Sequence, residues 1–135
     1  MVFSPAHVLA ADSISFINKE DFKNQQLVSL LLEHDFHGIA EVDLNNDSID
    51  EYVLKRDAGG TSQEFQVLAL INDTLVPLGN IRAQKLMIAY EENNGVRSIL
   101  GFKDANNDYE YDIYAWDAMK SRYSNNKGIS GGDIE

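Results

Sequence analysis

The chain has 135 residues, a formal net charge of −11, 44% hydrophobic residues and no cysteine. That length and apolar fraction suit one globular domain with its own core, and exclude disorder, disulfides and thiol chemistry. The acidic balance argues against nucleic acid and against an anionic membrane face, both of which need a cationic surface; a cation or a basic protein is compatible with it.

No apolar run approaches the roughly 18 residues of a membrane-spanning helix. Residues 1–17 read as an N-terminal segment. Within it, Val8-Leu9-Ala10-Ala11-Asp12-Ser13 has the small residues and polar sequel of a secretory signal's end, although Met1 to Leu9 carries no Lys or Arg. Either a signal has been trimmed here, or this apolar stretch packs on the domain. The expected location is periplasmic or secreted.

A single domain is expected over 18–123. Asn18 can cap a helix whose positive end suits Glu20 and Asp21. Leu27, Leu30, Leu31 and His34 then recur at helical spacing, with Phe22 and Val28 beside them, and predict a helix over Phe22 to His34. After Gly38 the period changes to two. Phe36 to Leu44, Tyr52 to Leu54 and Phe65 to Ile71 alternate, and the last is apolar on both faces, as in a central strand covered on both sides. Pro77 places Leu75 to Leu78 at an edge or a strand end. Asn94-Gly95 predicts a hairpin between Leu86 to Tyr90 and Val96 to Phe102. Tyr109 to Trp116 follows, then a tight turn at Asp117-Ala118 into a short strand, Met119 to Tyr123. Residues 124–135, rich in Asn, Gly and Ser, read as a flexible tail. The expected fold class is α+β: one N-terminal helix packed on an antiparallel β meander of about six or seven strands.

The stretch richest in chemistry lies between the first two strands. Asp43, Asn45 and Asp47 stand at positions 1, 3 and 5 of a loop, the Ile49 carbonyl at 7 and Glu51 at 9, a spacing that can turn oxygens onto one Ca²⁺ ion. Leu54 at position 12 and Ser48 at position 6 exclude an EF-hand, which needs Glu and Gly there. Asp-Asn runs also form turns without any metal, so an empty acidic turn is the alternative. The order Asp-x-Asn-x-Asp-x-Ile-x-Glu followed by Tyr-Val-Leu resembles the loop of FG-GAP/VCBS-type repeats, as in integrin α-chains and many exported bacterial proteins. That resemblance implies a loop joining two strands that often holds Ca²⁺, with Ser48 in place of the usual Gly. Gly101 to Tyr123 is similar to the closing strands of the same exported proteins, with an aromatic strand, a Trp-Asp turn and a basic-x-Tyr end. Asp104, Asn106 and Asp108, with the Glu110 carbonyl and Asp112, repeat the spacing, but a plain turn into the strand at Tyr109 accounts for them as well.

Three functional classes remain. The first is a non-enzymatic exported module that binds a protein or cell-envelope partner, a class that includes inhibitor and immunity-type proteins. Its contact face would be Glu110, Asp112, Tyr114 and Trp116, acidic and then aromatic on one side of a strand. The second is a hydrolase using carboxylates and histidines around His34, His37 and Glu41; no HExxH, nucleophile elbow, P-loop or dinucleotide motif supports a named chemistry. The third is a structural accessory domain of an envelope assembly.

Overall fold

Alternating apolar residues demand cover on the strand face that carries them, and the chain provides it by building two sheets. The computed structural model describes residues 11–60, 62–93, 95–107 and 109–130. One sheet has the order β1 (Ala11–Ser13), β7 (Lys85–Asn93), β8 (Val96–Phe102), β9 (Tyr111–Asp117) and β10 (Arg122–Ser130). The other has the order β2 (Ile17–Asn18), β3 (Gly38–Val42), β4 (Glu51–Asp57), β5 (Gln63–Ile71) and β6 (Thr74–Ala83). Every pairing is antiparallel. Within each sheet successive strands are neighbours, except that β1 joins β7. Gln84 alone separates β6 from β7, where the chain passes between sheets.

The α+β expectation is therefore corrected. Among the described residues no helix reaches seven residues, and ten strands in two sheets replace a single meander. The helix α1 is only Gln25–Leu30, and its cap is Asn24, whose side chain accepts the Leu27 N–H at 3.0 Å, not Asn18, which lies in β2. Its end is set at Leu31, whose N–H is shared between the Leu27 and Val28 carbonyls, tightening the last turn. A helix this short is unstable alone. It is held by Leu27, Val28 and Leu31, which with Phe22 and Phe36 bury against Ile39, Leu54 and Leu68 on the outer face of β3, β4 and β5. Leu30, expected on that stripe, is exposed. No helix among the described residues is long and apolar enough to cross a membrane.

The opposite face of the same sheet makes the main core. Val53, Phe65, Val67, Ile81 and Ala83 meet Leu86, Ile88, Ile99 and Tyr123 of the second sheet, with Leu44 at one end. β4 is the middle strand and β5 lies beside it, covered on both faces: Phe65 and Val67 by the second sheet, Leu68 by the α1 cluster. Pro77 sits where the β5–β6 register shifts, a position that does not require its missing N–H.

Three boundaries differ from expectation. The strand expected over Met119 to Tyr123 begins at Arg122, because Asp117 Oδ1 accepts the N–H groups of Met119 and Lys120 and turns the chain there. β10 then continues to Ser130, through residues expected to be a tail. β1 lies within the expected N-terminal segment and β2 straddles its end, while residues 1–10, which include half of the signal-like stretch, lie outside the described residues, as does Asn94 of the expected hairpin turn.

Candidate functional site

The acidic stretch does join two strands: β3 ends at Val42 and β4 begins at Glu51. Its shape comes from its own side chains. Asp43 Oδ2 accepts the Ser48 N–H at 2.8 Å and Oδ1 accepts the Asp47 N–H at 3.3 Å, while Asp47 Oδ1 accepts the Ile49 N–H at 2.9 Å. These bonds need a sharply bent backbone, and Asn46 and Ser48 supply it at φ 60° and 66°. Ser48 thus adopts the left-handed conformation that glycine would take without cost. Burial pushes the Asp43 carboxyl up, but the surrounding N–H groups of Ser48, Asp47, Asn45 and Asn46 outweigh it and hold the group below its ordinary value.

Glu51 behaves differently from the rest of the loop. It is only 6% exposed, and its Oε1 accepts the Leu44 N–H at 2.7 Å, tying the two ends of the loop together. Burial raises its carboxyl above the ordinary range; the Leu44 N–H opposes this, and the charges of Asp47, Asp43 and Asp50 add to it. The Leu44 carbonyl accepts the Arg97 N–H at 2.7 Å, and the Arg97 carbonyl accepts the Tyr123 hydroxyl at 2.8 Å. Burial foremost, then the Glu51 charge, push the Tyr123 hydroxyl well up, so it stays a donor. This chain of bonds fastens the acidic loop of one sheet to β8 and β10 of the other.

Above that junction opens a cleft of about 430 Å³. The loop forms one wall through Asn45, Asp47, Asp50 and Glu51. Trp116, which meets Tyr123 edge-on at 5.4 Å between ring centres, Leu78 and Val96 form the apolar wall. Ile49 and Ile71 also line the cleft while remaining 63% and 53% exposed, so they form an apolar rim.

The residues expected for a metal and for a partner are thus only partly assembled. Asn45, Asp47, Ile49 and Glu51 line the cleft; Asp43 braces the loop from behind it. Among the described residues, no three His, Cys, Asp or Glu side chains are grouped to hold a metal ion. Of the expected contact face, Trp116 alone reaches the cleft. Tyr114 packs on the inter-sheet core with a ring carbon 3.0 Å from where a Gly101 Cβ would stand, and Glu110 is exposed in the turn before β9, with Asp112 opposite Gly101. The Tyr114 end of the face expected from strand alternation points inward because the sheet of β2 to β6 packs against it. Asp50, Ile71, Leu78, Val96 and Tyr123 line the cleft as well; the sequence marks Ile71, Leu78 and Val96 only as strand residues and Tyr123 as part of the closing pattern.

No family model, curated protein or solved structure matches the chain. The second acidic stretch is a turn built from side-chain bonds: Asp104 Oδ1 accepts the Asn106 N–H and Asn107 Oδ1 the Tyr109 N–H, each at 2.9 Å, and Gln84 anchors it through the Ala105 N–H. Asp108 lies outside the described residues. His34 and His37 are tied to different partners, Gln66 at 3.0 Å and Asp57 at 3.6 Å respectively, and Glu41 stands opposite Tyr52 in the β3–β4 register. His34 borders a polar hollow of about 320 Å³ with Asp35, Arg56, Glu64 and Asn80, in which Arg56 pairs with both carboxylates.

Proposed function

We propose that this chain is a non-enzymatic, exported binding module that receives a protein partner at the cleft between the acidic loop and β9. The observation carrying this reading is convergence. The two stretches singled out independently in the sequence, the loop at Asp43 to Glu51 and the aromatic strand ending at Trp116, both contribute to the lining of one cleft. An apolar floor with a polar wall and an exposed aliphatic rim is the composition of a recognition site, where a few central side chains supply most of the affinity.

The test is capture of a partner from envelope extract with the wild-type chain and with Ile49→Glu and Ile71→Glu. Both residues are exposed, so the fold tolerates the change, while a charge on the rim faces desolvation in a complex. A partner retained by the wild type and lost by both variants supports the reading. Capture indifferent to both variants sinks it.

Calcium at the loop is a second reading, favoured by a turn, bent at the left-handed Asn46 and Ser48, that carries Asp43, Asn45 and Asp47 at alternate positions. With Glu51 engaged by Leu44, the protein would offer three side chains and the Ile49 carbonyl, fewer than the six to eight oxygens of a tight site. Water would fill the remainder, placing the affinity at the weak end, about 10⁻⁴–10⁻³ M.

A further inference from the structure

Resting on the reading of the cleft as a partner site, we propose that its occupant is a lysine or arginine side chain presented by the partner protein. The aliphatic stem would lie along Trp116, Leu78 and Val96, with the charged head among Asp47, Asp50 and Glu51.

Charge and shape argue for this occupant together. Three carboxylates border the cleft, and none of the residues lining it is Lys, Arg or His. Arg97 is the base whose backbone meets the loop, yet its side chain turns elsewhere: Nε donates to the Ala89 carbonyl at 2.7 Å and the guanidinium pairs with Asp12 at 3.2 Å. The carboxylates of the cleft therefore lack a counter-charge from the lining; burial foremost, and then the charges of Asp47, Asp43 and Asp50, push the Glu51 carboxyl up. A bare metal ion would satisfy the acidic wall and leave the apolar wall without a role. Lysine and arginine match both, because each carries an apolar stem and a charge at its tip, and a guanidinium also gains by lying on an indole face. The volume, about 430 Å³, lies in the range of sites that enclose a small group rather than a whole element. Ile49 and Ile71 on the rim would receive the partner's surface around the inserted side chain.

Trp116 is the only tryptophan in the chain, so its emission reports on the cleft directly. Acetyl-Gly-Lys-Gly-amide, its arginine counterpart and its norleucine counterpart are titrated into the full chain, with the backbone amides of Asp47 to Glu51 followed by NMR. The basic peptides should give saturable changes in both signals, and the norleucine peptide should not. Asp47→Asn combined with Asp50→Asn should weaken the basic peptides about tenfold. The amide at position 47 still accepts the Ile49 N–H, and an unchanged melting curve establishes that the double variant is folded. Equal binding of the norleucine peptide would overturn the cationic assignment while leaving the cleft as a binding site. Silence from all three peptides, with partner capture still lost on Ile49→Glu, would also overturn it and put recognition on the rim alone. Capture that ignores the rim variants is the separate result that fails the underlying function.

Discussion

The Glu51–Leu44 latch can be tested by separating its charge from its hydrogen bond. Glu51→Met fills similar space but leaves the Leu44 N–H, in a residue only 2% exposed, without an acceptor. A buried donor stranded in this way costs about 1–3 kcal/mol. With a urea slope of about 2 kcal/mol per molar for a domain of this size, a loss near 2 kcal/mol lowers the unfolding midpoint by about 1 M. Glu51→Gln keeps the acceptor and removes both the buried charge and its repulsion with Asp47, Asp43 and Asp50, so it should match or exceed the wild type at neutral pH. The pH dependence has a definite sign. Because the native carboxyl is raised above its unfolded value, the native state binds that proton more tightly. Its contribution is complete below the unfolded value and declines as pH rises through the native one. The advantage of Glu51→Gln over wild type should therefore be smallest in acid, grow across that window and then level off. Urea titrations of the three proteins at several pH values measure this. A glutamine variant as damaged as the methionine one, or a difference flat with pH, would refute the account of the latch.

Ser48→Gly should stabilise the chain by about 0.5–1 kcal/mol, since it relieves a side chain held at φ 66°; thermal melting measures it, and a loss of stability would mean that the turn is not strained there. Calcium in excess should raise the melting midpoint over EDTA, by an amount equivalent to about 2.7 kcal/mol when the free ion reaches a hundred times its dissociation constant. Asp47→Ala should remove most of that gain; a gain that survives would place the ion elsewhere, and an unchanged wild-type midpoint would leave the loop as a turn alone.

Much of the strand content was legible, because alternation of apolar residues records which face of a strand is covered. Phe65, Val67 and Leu68 were read correctly in this sense. Alternation does not record what provides the cover, so two sheets and one meander look alike along the chain. The helix was over-read for a related reason: Phe22, Leu27, Val28 and Leu31 share a side of the fold, but a turn, six helical residues and another turn deliver them there as well as a long helix would. The continuation of β10 past Tyr123 escaped notice because its pairing with β9 there involves Ser124 and Asn125, whose backbone bonds leave no trace in hydropathy. The loop was located by its Asp-Asn spacing. Its junction with Trp116 was not, since residues far apart in the chain meet only through the packing of the two sheets.

The connectivity carries a consequence for synthesis. From β3 to β6 the first sheet is made of consecutive hairpins, and β2 joins β3 across the α1 connection, so it can form while the second half of the chain is still being translated. Local pairing of that kind is fast. Until β7 and β8 follow, however, the face bearing Val53, Phe65, Val67 and Ile81 faces water, a broad sticky surface of the kind that draws unfinished chains together. β1 must meanwhile wait for a partner on the far side of Gln84, and its arrival on β7 laces the earliest described strand to the latest-made half. The short link at Gln84 shortens the dangerous interval, because the second sheet starts immediately where the first one stops.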